Sequence, residues 1–343
     1  MNTKRIVYLD MLKVISCIAV VLIHATAIGF TEINIQNTSW KVSAIFNLIP
    51  RFAVPVFVMV SGALFLNKDK EISIKKLYTK NILHLVIIYI VWTFIYSAYN
   101  VYNNAQGFSL LQVLKGGIIK SYYHLWFIPM LIGVYICVPF LKSIVKDKKI
   151  VEYFLLIFLL FNVIPTTIKL FKFPYSGYIG NILSRIQVPS LSYLGYFILG
   201  HYLHTYDMTK KKRRTIYILG IVSLIVAIVG TIFYSLHLGY AKESFCREFS
   251  ITTYLMSIAI FVLMKSLLYN KEVKFEKVII HFSEISLGIY LTHALFRDIL
   301  KNQWEFSFTN MWMLPVNMIV TIALSYILTV VLKKIPVINK YIV

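Results

Sequence analysis

Apolar residues fall along this chain in runs of about twenty, separated by short polar or basic stretches. A run of that length, coiled as a helix, matches the hydrocarbon thickness of a bilayer. The pattern predicts ten spans, at 7–28, 43–66, 80–101, 123–143, 150–171, 188–206, 215–236, 249–269, 277–299 and 311–332. The segment Leu110 to Ile119 is apolar but too short to cross, and reads as a re-entrant or interfacial helix. Pro55, Pro129, Pro139, Pro165 and Pro189 lie in or beside spans. Such breaks survive where protein or a watery cavity satisfies the freed carbonyls, so bent helices around a polar interior are expected. No internal repeat is visible, and residues 1–343 read as one integral-membrane domain.

The loops give the orientation. Of 35 basic residues, 23 lie in one alternating set: Lys4 and Arg5, Lys68 to Lys80, Lys142 to Lys149, Lys210 to Arg214, Lys265 to Lys277 and Lys333 to Lys340. The opposite set holds 11, and Lys13 lies inside the first span. By the positive-inside rule both termini are cytoplasmic, which an even number of spans satisfies. The fold expected is therefore all-α and polytopic, multi-pass in a cell (plasma or inner) membrane.

Ionisable residues within spans are costly and by default suggest function. At about 100° per residue, Lys13 and His24 nearly superimpose on one face of the first helix, with Asp10 within about 60° of both. Lys13 and His24 are separated by roughly 16 Å of axial rise, about half the hydrocarbon thickness. In depth, the polar residues sort into two levels. His24, Arg51, His124, Trp126, His293 and Arg297 lie near the outer side, and Asp10, Lys13, Ser61, His84, His201, His204 and Glu284 near the inner side.

Composition narrows the class. Hydrophobic residues make up 59% and charged residues 14%, against about 45–50% and 25% for soluble domains. The net charge of +21 sits in topology-setting clusters, so no nucleic-acid partner is expected. Cys17, Cys137 and Cys246 have no paired spacing and read as buried thiols. A cleaved signal ending at Ala25-Thr26-Ala27 is disfavoured by Asp10 and Lys13 before the apolar core and by the span that follows at once. No H-x-x-x-H or H-E-x-x-H pair occurs, so no metal is expected. Gly-x-Ser-x-Gly and the P-loop are absent too, so neither a soluble-type serine hydrolase nor an NTPase is supported. A membrane carrier and a silent scaffold remain as other classes for a polytopic chain with intramembrane charge.

Four ordered motifs carry a likeness. They are Leu9-Asp10 followed by Lys13 and, eleven residues on, His24; Pro55-Val56-Phe57-Val58-Met59-Val60-Ser61-Gly62-Ala63-Leu64-Phe65; His124-Leu125-Trp126-Phe127 with Tyr135 and Pro139; and Ser286-Leu287-Gly288-Ile289-Tyr290-Leu291-Thr292-His293. Together they resemble the integral-membrane acyltransferase-3 family over nearly the whole chain, in the flavour of stand-alone surface-polysaccharide O-acetyltransferases. Lys13 stands where many members carry Arg, which keeps the charge and loses the bidentate fork.

The resemblance implies acyl transfer from cytoplasmic acyl-CoA, usually acetyl-CoA, to a hydroxyl of an exported glycan or lipid-linked saccharide. His24, Asp10, His293 and Arg51 are then the candidates for catalysis, and Lys13, Ser61, His124 and Trp126 for holding the acyl donor. Within that set His24 is the general base and Asp10 neutralises or orients Lys13. Arg51, His124 and Trp126 are candidate oxyanion donors. His293 is a second base or a structural partner of Tyr290, and Ser61 is a covalent relay or a packing residue at a close helix crossing.

Overall fold

The structure, a computed structural model, describes residues 5–67, 73–104, 109–119, 121–170, 178, 180, 191–304 and 306–342. Among these the regular structure is entirely helical. Eight helices are long and apolar enough to cross a membrane: Val7–Glu32 (α1), Thr38–Phe65, Ile74–Asn103, Lys148–Ile168, Lys210–Leu238, Ser244–Leu268, Glu276–Asn302 and Leu314–Lys334. These stand at eight of the ten predicted positions. At the fourth lies a pair, Phe127–Ile136 and Val138–Ile144, bent by 55°. Pro139, at the start of the second member, cannot donate back into the first, and the break falls there. At the sixth, the described helix Leu191–Thr205 has 15 residues, and residues 181–190 lie outside the described set.

The second span changes helix type midway. Thr38–Leu48 (α2) opens on Asn37, whose side chain accepts from the Ser39 N–H. It gives way to a 3₁₀ turn over Ile49–Phe52, with Pro50 near its start, and resumes as Ala53–Phe65 (α3). A 3₁₀ turn winds more tightly than an α-helix, so side chains on either side of it are re-aimed. Arg51 lies in that turn.

Interior and exterior of the bundle are distinguished by size and polarity as a membrane requires. Lys210–Leu238 buries Gly220, Ser223, Ala227, Thr231 and Ser235, while Ile218, Ile221, Ile225 and Phe233 stay exposed. Leu314–Lys334 buries Asn317, Thr321, Ser325 and Thr329 at a spacing of four, with Ile319 and Ile327 outward. The tightest crossing joins α3 to Leu191–Thr205. A Cβ on Gly62 would fall 1.8 Å from the Phe197 carbonyl oxygen, and one on Gly200 would fall 1.9 Å from that of Met59. The backbones touch there because neither glycine has a side chain.

Glu276–Asn302 (α12) lies along α1. Asp10 meets Ser283, Cys17 meets the Ser286 carbonyl and His24 meets His293, so residue numbers rise together and the two helices run parallel. Leu110–Ile119 buries only Val113, whose carbonyl accepts from Ser97 on Ile74–Asn103. Cys17, Cys137 and Cys246 are free thiols.

Candidate active site

Three imidazoles from distant parts of the chain meet at one end of α1. The Nδ1 of His24 lies 2.7 Å from Nε2 of His293. The two ring planes are within 5° of parallel and their centroids are 5.0 Å apart. With nitrogens that close, the rings lie edge to edge in a shared plane instead of face to face. His124 stands nearly perpendicular to His293, at 5.1 Å between centroids.

The protons can be assigned from the partners. Nδ1 of His293 is 2.6 Å from the Tyr290 carbonyl, which only accepts, so that nitrogen carries hydrogen. A neutral His293 then offers a lone pair at Nε2, and His24 must donate from Nδ1. The remaining nitrogen of His24, Nε2, is left with its lone pair. This is the tautomer a general base needs.

The surroundings fix the group. Tyr290 donates its hydroxyl to the His124 carbonyl, tying the start of Phe127–Ile136 to α12. Tyr96 donates to the Leu291 carbonyl at 2.7 Å and accepts from the Leu295 N–H at 3.1 Å, so its hydroxyl is inserted in the helical turn that carries His293. Tyr123 meets His24 edge-on at 5.1 Å. The Arg297 guanidinium lies over the Tyr123 ring, 4.8 Å from its centre, and is paired with Asp298.

A cavity of 130 Å³ opens against these groups, and His24, Arg51, His124, Trp126, Tyr290 and Glu248 contribute to its wall. Arg51 is largely buried; it pairs with Glu243 and donates to the side-chain oxygen of Asn47. Trp126 is 40% exposed and packs at 5.8 Å from Tyr193. His124 is 1% exposed, and neither of its nitrogens makes a hydrogen bond. The Leu291 carbonyl is near enough to act on the ring, yet outside hydrogen-bond geometry. A buried imidazole left so is costly, unless a ligand supplies the partner. Among the described residues no group of three or more His, Cys, Asp or Glu is placed to hold a metal ion.

The family model described as an acyltransferase domain, acyltransferase family 3, matches residues 6–330. The chain belongs to the acyltransferase-3 family. No curated protein and no solved structure shows significant similarity to it. Membership makes it a membrane acyltransferase whose family domain occupies nearly its whole length.

The other residues picked out in the sequence lie elsewhere. Asp10 is 14 residues before His24 on α1, roughly 21 Å by helical rise. Its carboxylate accepts from Arg5 at 2.9 Å and from Ser283 at 2.5 Å, and Lys13 is more distant at 3.8 Å. Arg5 also reaches Glu284 at 2.5 Å, and Lys333 donates to the Glu284 carbonyl at 2.6 Å. This cluster joins α1, α12 and Leu314–Lys334. Beside these carboxylates, Asp10 foremost, the Arg5 guanidinium has its pKa pushed up. Ser61 donates to the Phe57 carbonyl one turn back at 3.1 Å, next to the Gly62 crossing. Four neighbours of the site were not singled out from sequence: Asn47, Glu243, Tyr96 and Tyr123. Only Asn47 left a sign there, lying four residues before Arg51 and so on its face of a helix.

Proposed function

We propose that this protein is a membrane O-acyltransferase that moves an acetyl group from cytoplasmic acyl-CoA to a hydroxyl of an exported or surface glycan, with ten spans and both termini cytoplasmic. The observation that carries the reading is the chain Tyr290 carbonyl, His293, His24, which leaves a basic nitrogen beside a cavity lined by Arg51 and His124.

In this mechanism Nε2 of His24 takes the proton of the acceptor hydroxyl as its oxygen attacks the thioester carbonyl carbon. The carbon–oxygen bond forms, and the carbonyl electron pair moves onto oxygen. That oxyanion needs preset donors in a site of low dielectric. The Arg51 guanidinium and a His124 N–H supply them, with the Trp126 indole at the cavity wall. Collapse of the intermediate breaks the carbon–sulfur bond, and the departing thiolate takes the proton from His24. His293 accepts the His24 Nδ1 proton's hydrogen bond throughout and holds the ring in place.

Direct transfer is preferred over a serine relay, since the Ser61 hydroxyl is engaged with the Phe57 carbonyl and does not contribute to the cavity wall. Lys13 and the basic inner loops hold the phosphates of CoA, and its pantetheine arm spans the distance to His24.

The test is His24→Ala in membranes given labelled acetyl-CoA and acceptor glycan. The expected result is loss of label transfer with the protein present at its normal level. Undiminished transfer would remove His24 from the mechanism. Mass spectrometry of surface glycans from cells with and without the protein should show a difference of one acetyl group.

A further inference from the structure

We infer that Asn47 is a positioning residue that holds the Arg51 guanidinium in register with the His24 turn of α1; this rests on the transfer reaction above. Asn47 is 1% exposed, near the end of α2. Its amide nitrogen donates to the Ile23 carbonyl at 2.9 Å and to the Thr26 hydroxyl oxygen at 3.1 Å. Thr26, itself fully buried, donates back to the Leu22 carbonyl at 2.7 Å. The Asn47 side-chain oxygen accepts from Nη2 of Arg51, and its backbone carbonyl accepts from Nε of Arg51 at 3.3 Å.

The orientation of the amide follows from chemistry. A carbonyl such as that of Ile23 demands the NH₂ end, and a guanidinium demands the oxygen. Every polar atom of the Asn47 side chain is thus committed, its nitrogen to the turn that bears His24 and its oxygen to Arg51. Aspartate has the oxygen without the donor, and leucine has neither. The 3₁₀ turn that begins two residues after Asn47 tightens the chain and brings Arg51 back toward this amide.

The other Arg51 partner is Glu243, on the segment between Lys210–Leu238 and Ile251–Leu268, and half of its side chain is exposed. That contact neutralises the guanidinium without locating it against α1. Among the described residues, Asn47 hydrogen-bonds both the cation and the turn that bears the base. A misplacement of 1 Å between reacting groups costs about 10²-fold in rate, so the link acts on turnover.

The experiment is a double-mutant cycle in membranes carrying the full chain, read as kcat for label transfer from acetyl-CoA, KM for acetyl-CoA and the thermal midpoint. Asn47→Ala is expected to lower kcat about ten- to hundredfold, with KM changed less than about twofold. In an Arg51→Ala background the same change should alter kcat by less than about twofold, because residues acting through one another are not additive. If the alanine variant is not recovered, Asn47→Asp replaces it: the contact to Arg51 is kept, the donors to α1 are lost, and kcat should still fall. Equal fold losses in both backgrounds would overturn the inference, as would Asn47→Ala or Asn47→Asp at the normal kcat. Arg51→Ala at full rate would overturn the role of Arg51 and this inference with it. A wild-type chain that transfers no label would overturn both this and the proposed function.

Discussion

Replacing His293 tests the imidazole pair most directly. His293→Leu fills the space, but gives the His24 Nδ1–H no acceptor in a site where His293 is fully buried. The Tyr290 carbonyl suffers less, because it lies within α12 and accepts there along the helix. The cost therefore falls on one buried donor, about 1–3 kcal/mol. At 1.36 kcal/mol per decade this is about a five- to 150-fold loss in kcat, if the donor must stay aligned through the transition state. His293→Gln behaves differently: its NH₂ can reach the Tyr290 carbonyl and its oxygen can accept from His24. The assay is initial-rate transfer of labelled acetyl in membranes matched for protein, with ¹⁵N-histidine NMR to follow the His24 tautomer. Glutamine should retain most of the rate, while leucine loses it and mixes the tautomers. A leucine variant at normal kcat, or glutamine no better than leucine, would refute the argument.

Two further substitutions test the frame that holds the site. Ser283→Ala removes a hydrogen bond to the buried Asp10 carboxylate, worth about 1.5–3 kcal/mol; the thermal midpoint in detergent should fall while kcat stays within about twofold. Gly62→Ala gains about 1 kcal/mol of helix propensity, yet its Cβ would meet the Phe197 carbonyl oxygen at 1.8 Å, which a packed backbone cannot yield. The collision should win, lowering the midpoint; a raised midpoint would mean that this crossing is looser than the structure has it.

Much of this was legible along the chain, for physical reasons. A bilayer imposes a length on every crossing helix, so eight helices long and apolar enough to cross stand where apolar runs predict them. The fourth is bent at Pro139, one of the prolines at which the sequence led us to expect bent helices. Polar groups are scarce inside a membrane, which is why His24, Arg51, His124, Trp126 and His293 stood out; the structure brings the first four to the wall of one cavity and His293 into contact with His24. What helical periodicity could not supply was partners from other helices. Lys13 seemed the natural companion of Asp10, three residues away, but Arg5 and Ser283 are nearer. Ser283 lies 273 positions along the chain, and no local pattern encodes that meeting. Tyr96 is hidden in the same way, since an intrahelical tyrosine in an aromatic-rich span looks like any other packing residue.

The parallel contact between α1 and α12 restricts motion. One fastening between two rods leaves a pivot; two leave none. Asp10 with Ser283 and His24 with His293 fasten these helices at two levels, with the Cys17 contact to Ser286 between them. A carrier cycle that rocked these helices apart would have to release both fastenings. The pair instead behaves as a fixed jaw. An opening of the cavity that leaves this pair in place falls to contacts such as the one between Arg51 and the half-exposed Glu243.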